Sequence, residues 1–181
     1  MYKNLYAEPR EEKAQAALFK GQEYFEADAF AEALNGDSIG YVGFIKIADQ
    51  YSGTDPATLA KAYAGLCYAH LGKFDEAVKA LDSFDGNDQM VAPAMKGAMG
   101  NCYAQLGQLD KASSMLLKAA DEADNTTLSP IYLKQAGEIL VKQGKYDDAI
   151  KAYTSIKEKY FRSYQAMDID KYIEQAKLLK K

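Results

Sequence analysis

Apolar positions along this chain recur at the spacing of helices. Over residues 166–180, Ile169, Tyr172, Ile173 and Ala176 fall on one side and Lys or Glu residues on the other, which predicts an amphipathic helix. Residues 40–51 read as a helix. A longer one is expected before it, from about residue 9 to 34. Asp55-Pro56 and Ser129-Pro130 each place a capping side chain before a proline suited to the first helical position, so two more helices are predicted to start there. No run of 18 apolar residues interrupts the pattern, so no segment of this sequence is expected to insert in a membrane.

Superimposed on the helical pattern is a longer period. Gly65, Gly100 and Gly137 form one series, Gly72, Gly107 and Gly144 a second, and Ala77, Ala112 and Ala149 a third, all with intervals of 35 and then 37. Between residues 65–77 and 100–112, eight of thirteen aligned positions are identical. Each unit therefore reads as two helices joined by a tight turn. Gly72, Gly107 and Gly144 are predicted to take the left-handed conformation that ends the first helix. Gly65, Gly100 and Gly137 lie inside that helix, where glycine costs about 1 kcal/mol relative to alanine. Close approach of the second helix is the expected compensation, with Ala77, Ala112 and Ala149 as the facing residues. Gly43, 34 residues before Ala77, places an earlier degenerate unit upstream.

Composition agrees with this picture. The 181 residues include 29 Ala and no Trp, a helix-rich globular make-up long enough to bury a core without metals or disulfides. Twenty-two Lys and Arg against 26 Asp and Glu give a net charge of −4, which argues against nucleic acid as a partner. The charge is uneven: residues 21–60 carry seven acidic groups and one Lys, whereas residues 157–181 carry seven basic and four acidic. Solvated helix faces, a polarised docking surface or a weak head-to-tail contact all fit those counts. Cys67 and Cys102 occupy equivalent places in successive units and are expected to be reduced and buried. With one histidine they are too few for a zinc site, and no metal or cofactor is expected. Nor does the N-terminus offer a signal core or a cysteine for a lipid anchor.

The repeat resembles the tetratricopeptide repeat, a helical hairpin of about 34 residues with a small residue and an aromatic in its first helix, a turn glycine and an alanine in its second. Gly65, Tyr68, Gly72, Phe74 and Ala77 match in one unit. Gly100, Tyr103, Gly107 and Ala112 match in the next, and Gly137, Gly144, Tyr146 and Ala149 in the third. The family's Trp and terminal Pro are absent from all three. The resemblance implies an all-α solenoid of antiparallel helix pairs, with a lead-in over residues 1–11, a degenerate hairpin over 12–55, three repeats over 56–158 and a capping helix over 159–181. It also implies a groove lined by the first helices, which selects Leu66 and His70, then Asn101 and Gln105, then Lys134, Glu138 and Lys142 as partner-binding candidates. A clamp for a C-terminal carboxylate fits poorly, because Leu66 replaces an expected Asn and these helices carry no Arg.

The function implied is a non-catalytic scaffold for a peptide or protein partner. The acidic groups Asp75-Glu76, Asp110 and Asp147-Asp148 recur where second helices begin, a dipole-favoured position, and are assigned to structure. Tyr68, Tyr103 and Tyr153 are assigned to the core. No catalytic residue is assigned: the chain has no phosphate-binding loop, zinc-binding motif or serine elbow. The layout, with its early Tyr-Lys-Asn-Leu-Tyr segment and Tyr/Lys-rich terminal helix, also looks like the membrane-anchored bacterial family ancillary to the Sec translocon. That resemblance implies a transmembrane anchor before Tyr2 in the full gene product, a periplasmic location and assistance to secreted proteins or their chaperones. The alternatives are a cytoplasmic adaptor and, from another class, an enzyme or small-ligand receptor centred on His70. The last requires a deep concavity with polar groups converging on that ring.

Overall fold

The computed structural model describes residues 8–180; the early Tyr-Lys-Asn-Leu-Tyr segment lies outside them. Among the described residues there are ten α-helices and no strand. The chain divides into two compact units, residues 1–86 and 87–181, and the boundary falls inside the 56–158 block.

The first unit holds α1 (Glu8–Glu26), α2 (Phe30–Asn35), α3 (Phe44–Gln50), α4 (Asp55–His70) and α5 (Phe74–Asp82). The single helix expected over 9–34 is two helices, broken at Asp28. Asp28 takes φ +56, and the Ala29 amide reaches back to the Tyr24 carbonyl at 2.9 Å. Asp tolerates this left-handed conformation better than most residues. The same closure ends α4, where Gly72 has φ +73 and the Lys73 amide bonds the Tyr68 carbonyl at 2.9 Å. Asp28 therefore stands where later units have a turn glycine.

That equivalence resets the register of the degenerate unit. Gly21, Tyr24, Asp28, Phe30 and Ala33 lie 44 residues before Gly65, Tyr68, Gly72, Phe74 and Ala77. The first hairpin is thus α1 with α2, and the extra length is an insertion over residues 36–43 that separates α2 from α3. Gly40 to Gly43 belong to this loop and not to the helix expected over 40–51; Gly43 has φ +89 at the N-cap of α3. Both α2 and α3 pack on α4, and Leu18, Leu34, Phe44, Ile47 and Cys67 share one buried cluster.

In the second unit, α6 (Val91–Gln105) pairs with α7 (Leu109–Ala123) and α8 (Ser129–Lys142) with α9 (Tyr146–Lys159). A 3-10 turn, Tyr164–Met167, leads to α10 (Ile169–Leu179), which packs on α9 as the expected terminal cover. Gly107 and Gly144 have φ +71 and +72 and end α6 and α8.

The glycines inside first helices do mark close approach, with a different neighbour from the one expected. A Cβ on Gly65 would lie 2.6 Å from Leu81 Cγ, one on Gly100 2.7 Å from Leu116 Cγ, and one on Gly137 2.6 Å from Tyr153 Cζ. Each neighbour sits four residues after the repeated alanine, one turn along the second helix. Ala77, Ala112 and Ala149 are fully buried but are not the groups that require the glycine.

The capping residues also shift. Thr54, not Asp55, caps α4, its hydroxyl accepting the Ala57 amide at 3.3 Å. Ser129 lies within α8 and donates its hydroxyl to the Ala120 carbonyl of α7 at 2.8 Å, while Asn125 Oδ1 accepts the Thr127 and Leu128 amides.

Candidate functional site

The first helices carry the candidate residues at spacings of four, so each set lies along one face of its helix. In the first unit, Leu66 is half-buried on α4 and His70 ends that helix. The His70 ring is stacked on Phe30 at 4.1 Å and meets Phe25 edge-on at 5.8 Å. Among the described residues its ring neighbours are these two aromatics, where an acid–base centre needs converging polar groups.

In the second unit, Asn101 and Gln105 are exposed on α6, and Glu138 and Lys142 on α8. The two helices meet through Tyr132, whose Cζ would lie 2.5 Å from a Cβ on Gly97. Lys134 departs from the expectation of a groove residue: its ammonium lies 4.2 Å from the centroid of the Tyr172 ring and 3.3 Å from Asp168 Oδ1. Burial lowers its pKa, but hydrogen bonding to Tyr172 and Asp168 outweighs that and the net direction is upward. The reason is positional. Lys134 stands 37 residues after Gly97, and Tyr172 meets it from α10 much as Tyr132 meets Gly97 from α8. So α10 occupies the place of a further first helix, and Lys134 faces it.

Beside this contact is a hollow of about 290 Å³ lined by Glu138, Val141 and Lys142 of α8, Tyr153 of α9, and Tyr172 and Gln175 of α10. Burial, with the nearby Glu138 charge, raises the pKa of the Tyr153 phenol, whose ring packs against Gly137. Glu138, Lys142, Asn101 and Gln105 make no side-chain hydrogen bond or ion pair among the described residues. The second helices use their polar groups differently. Asp110, at the start of α7, accepts from Lys145 at 2.6 Å and from Gln143 at 2.8 Å, tying one hairpin's turn to the next. Those contacts, Lys145 foremost, hold its carboxyl below the usual range. Asp75, Glu76, Asp147 and Asp148 also fall in first turns of second helices, as the dipole argument requires. Tyr153 is fully buried, whereas Tyr68 and Tyr103 pack half-buried at the edges of their clusters. Both cysteines are free and buried.

What the sequence reading missed is the inserted loop. Gly36, Gly40 and Gly43 have φ of +96, +122 and +89, and Asp37 Oδ1 accepts the amides of Ile39 and Tyr41 at 2.9 and 2.8 Å. Three glycines within eight residues, with Tyr41 between the second and third, were the available signal.

Comparison with known proteins places family matches on these hairpins. One tetratricopeptide-repeat family model matches residues 63–85 and 132–160, and a second matches 94–126. No curated protein matches the chain. Among solved structures, a substituted form of a Podosopora anserina protein assigned as a kinesin light chain with nearly identical TPR-like repeats aligns with a TM-score of 0.64 at 11% identity. That alignment covers 93% of this chain and 87% of that one. The MamA protein aligns with a TM-score of 0.61 at 19% identity, covering 93% and 88%. A second structure of the Podosopora anserina protein gives 0.58 at 13% identity, covering 94% and 96%. At these identities the likeness establishes the fold, which is all-α and TPR-like.

Proposed function

We propose, from the tetratricopeptide repeats this chain carries, that it is a scaffold whose first-helix faces hold a peptide or protein partner. The observation that carries the reading is the contrast within the second unit. Polar side chains at the starts of second helices are engaged in pairs, Asp110 with Lys145 and Gln143, Asp147 with Lys180 and Asp148 with Lys151, while among the described residues Asn101, Gln105, Glu138 and Lys142 are exposed on first helices without such partners. Exposed amide and charged groups spaced one turn apart suit the backbone and side chains of an extended or helical peptide. Leu66 and the outer edge of His70 supply the corresponding face of the first unit. Lys134 enters as the residue that seats α10.

Site-specific photocrosslinking tests this. A photoreactive residue placed at 101, 105, 138 or 142 should capture partner polypeptide in the native cell, and one at Lys118 or Lys151, exposed on α7 and α9, should not. Equal capture at the second-helix positions would remove the assignment.

The finer reading is assistance to secreted proteins at the periplasmic face of a bacterial inner membrane, supported by the layout resemblance described above. No described helix is long and apolar enough to cross a membrane, so this reading requires an anchor outside the described residues. A segment of about 20 apolar residues encoded directly before residue 2 supports it. Translation starting naturally at Met1 contradicts it and leaves the cytoplasmic adaptor.

A further inference from the structure

The inserted loop is built to hold a shape. Besides the two amides on Asp37 Oδ1, the Tyr24 hydroxyl donates to Asp37 Oδ2 at 2.5 Å, the Asp37 amide donates to the Tyr41 carbonyl at 2.9 Å, and the Tyr41 hydroxyl donates to the Ala33 carbonyl at 2.8 Å. A Cβ on Gly36 or Gly43 would press into loop backbone, within 2.8 Å of Val42 C and 2.5 Å of Gly36 N respectively. A loop so constrained loses little entropy on binding. It carries Ile39 at 85% exposure, beside a hollow of about 350 Å³ lined in part by Lys20, Asp37, Tyr41 and Tyr51. The unit around it is acidic, with 14 Asp and Glu against 8 Lys and Arg over residues 1–86.

The second unit bears the complement. Phe161, Tyr164 and Met167 are 65, 81 and 81% exposed, before and within the 3-10 turn. Arg162 lies 5.4 Å from the Phe161 ring centroid, and Lys159 and Lys171 are exposed in the same stretch. Residues 87–181 hold 14 basic and 12 acidic groups. Locally, residues 157–181 carry seven basic and four acidic groups and residues 21–60 one basic and seven acidic, so each surface has an apolar centre in a setting whose excess charge is opposite in sign to the other's.

We propose that a second copy of this chain is the partner: the Phe161-Arg162-Tyr164-Met167 surface of one copy docks against the inserted loop, around Ile39 and Asp37, of the next. The contact joins unlike surfaces, so it propagates from copy to copy. It uses none of Leu66, His70, Asn101, Gln105, Glu138 and Lys142 and does not depend on them. An anionic lipid surface is the rival for the basic aromatic patch, but it gives the inserted loop no part.

Sedimentation velocity on the full chain, with Ile39→Lys and the double variant Phe161→Glu/Met167→Glu, tests the proposal. All three positions are exposed, and far-UV circular dichroism checks that the variants fold. The wild type should increase in mean mass with concentration, with an association constant about tenfold weaker at high than at low salt. Each variant alone should be monomeric. Their equimolar mixture should form a one-to-one dimer, because each retains the surface the other lacks. A wild type monomeric throughout, association that persists in either variant, or a mixture that stays monomeric overturns the proposal. So does a monomeric wild type that binds phosphatidylglycerol vesicles through Phe161.

Discussion

Replacing Gly137 by alanine sets two magnitudes against each other. An alanine inside α8 gains about 1 kcal/mol of helix propensity over glycine. Its Cβ, however, would lie 2.6 Å from Cζ and 2.9 Å from Cδ1 of Tyr153, whose ring is only 1% exposed and backed by the cluster of Ile156, Ile169 and Ile173. Displacing a packed ring costs about 1–3 kcal/mol, to which the loss of ring contacts contributes. The clash wins, and Gly137→Ala is expected to destabilise by about 1 kcal/mol net, measured by urea unfolding followed by circular dichroism and tyrosine emission. Gly144→Ala is expected to cost a similar amount for another reason, since its φ is +72 and nothing lies within 4 Å of the added carbon. A double-mutant cycle separates the two: Tyr153→Leu should couple to Gly137→Ala by about 1 kcal/mol and to Gly144→Ala by nearly nothing. A stabilised Gly137→Ala variant would falsify the close-approach account, because propensity alone would then explain it.

Other expectations follow from single contacts. Asp28→Gly should be neutral or stabilising by a few tenths of a kcal/mol, whereas Asp28→Val should cost about 1–2 kcal/mol, if position 28 is a left-handed turn residue; thermal unfolding reads both. Lys134→Met removes the pairing to Asp168 and the contact with the Tyr172 ring, worth about 1 kcal/mol together, and should speed amide exchange in α10 more than in α6. Burial pushes the Cys67 thiol up to about 12 from an ordinary 9.0. The native state then holds its proton where the unfolded chain has lost it, so stability is full below about pH 9 and falls as pH rises towards 12. Cys67→Ala should make unfolding free energy less steep across that window; an unchanged slope would contradict the assignment.

The parts of the fold legible in the sequence are those where one residue type has one physical use. Gly72, Gly107 and Gly144 announce left-handed turns because only glycine is comfortable there, and all three have φ near +72. The glycines at 65, 100 and 137 announce close approach, but which side chain approaches depends on helix rotation. That is why Leu81, Leu116 and Tyr153 displace the expected alanines. The first hairpin was obscured because Asp28 performs a glycine's task and the insertion over 36–43 stretches the interval to 44, so periodicity alone aligned Gly43 instead. Site residues were legible as helix positions. Their engagement was not: Lys134 and Glu138 are one turn apart on α8, yet only Lys134 is taken up by α10, through Asp168 and Tyr172, more than 30 residues away in sequence.

The central claim is that first helices, not second helices, receive the partner. Amide hydrogen exchange on the chain with and without the polypeptide segment recovered by photocrosslinking tests it most directly. Slowed exchange concentrated in α6 and α8, with α7 and α9 unchanged, is the predicted result. Protection confined to α7 and α9 would contradict it.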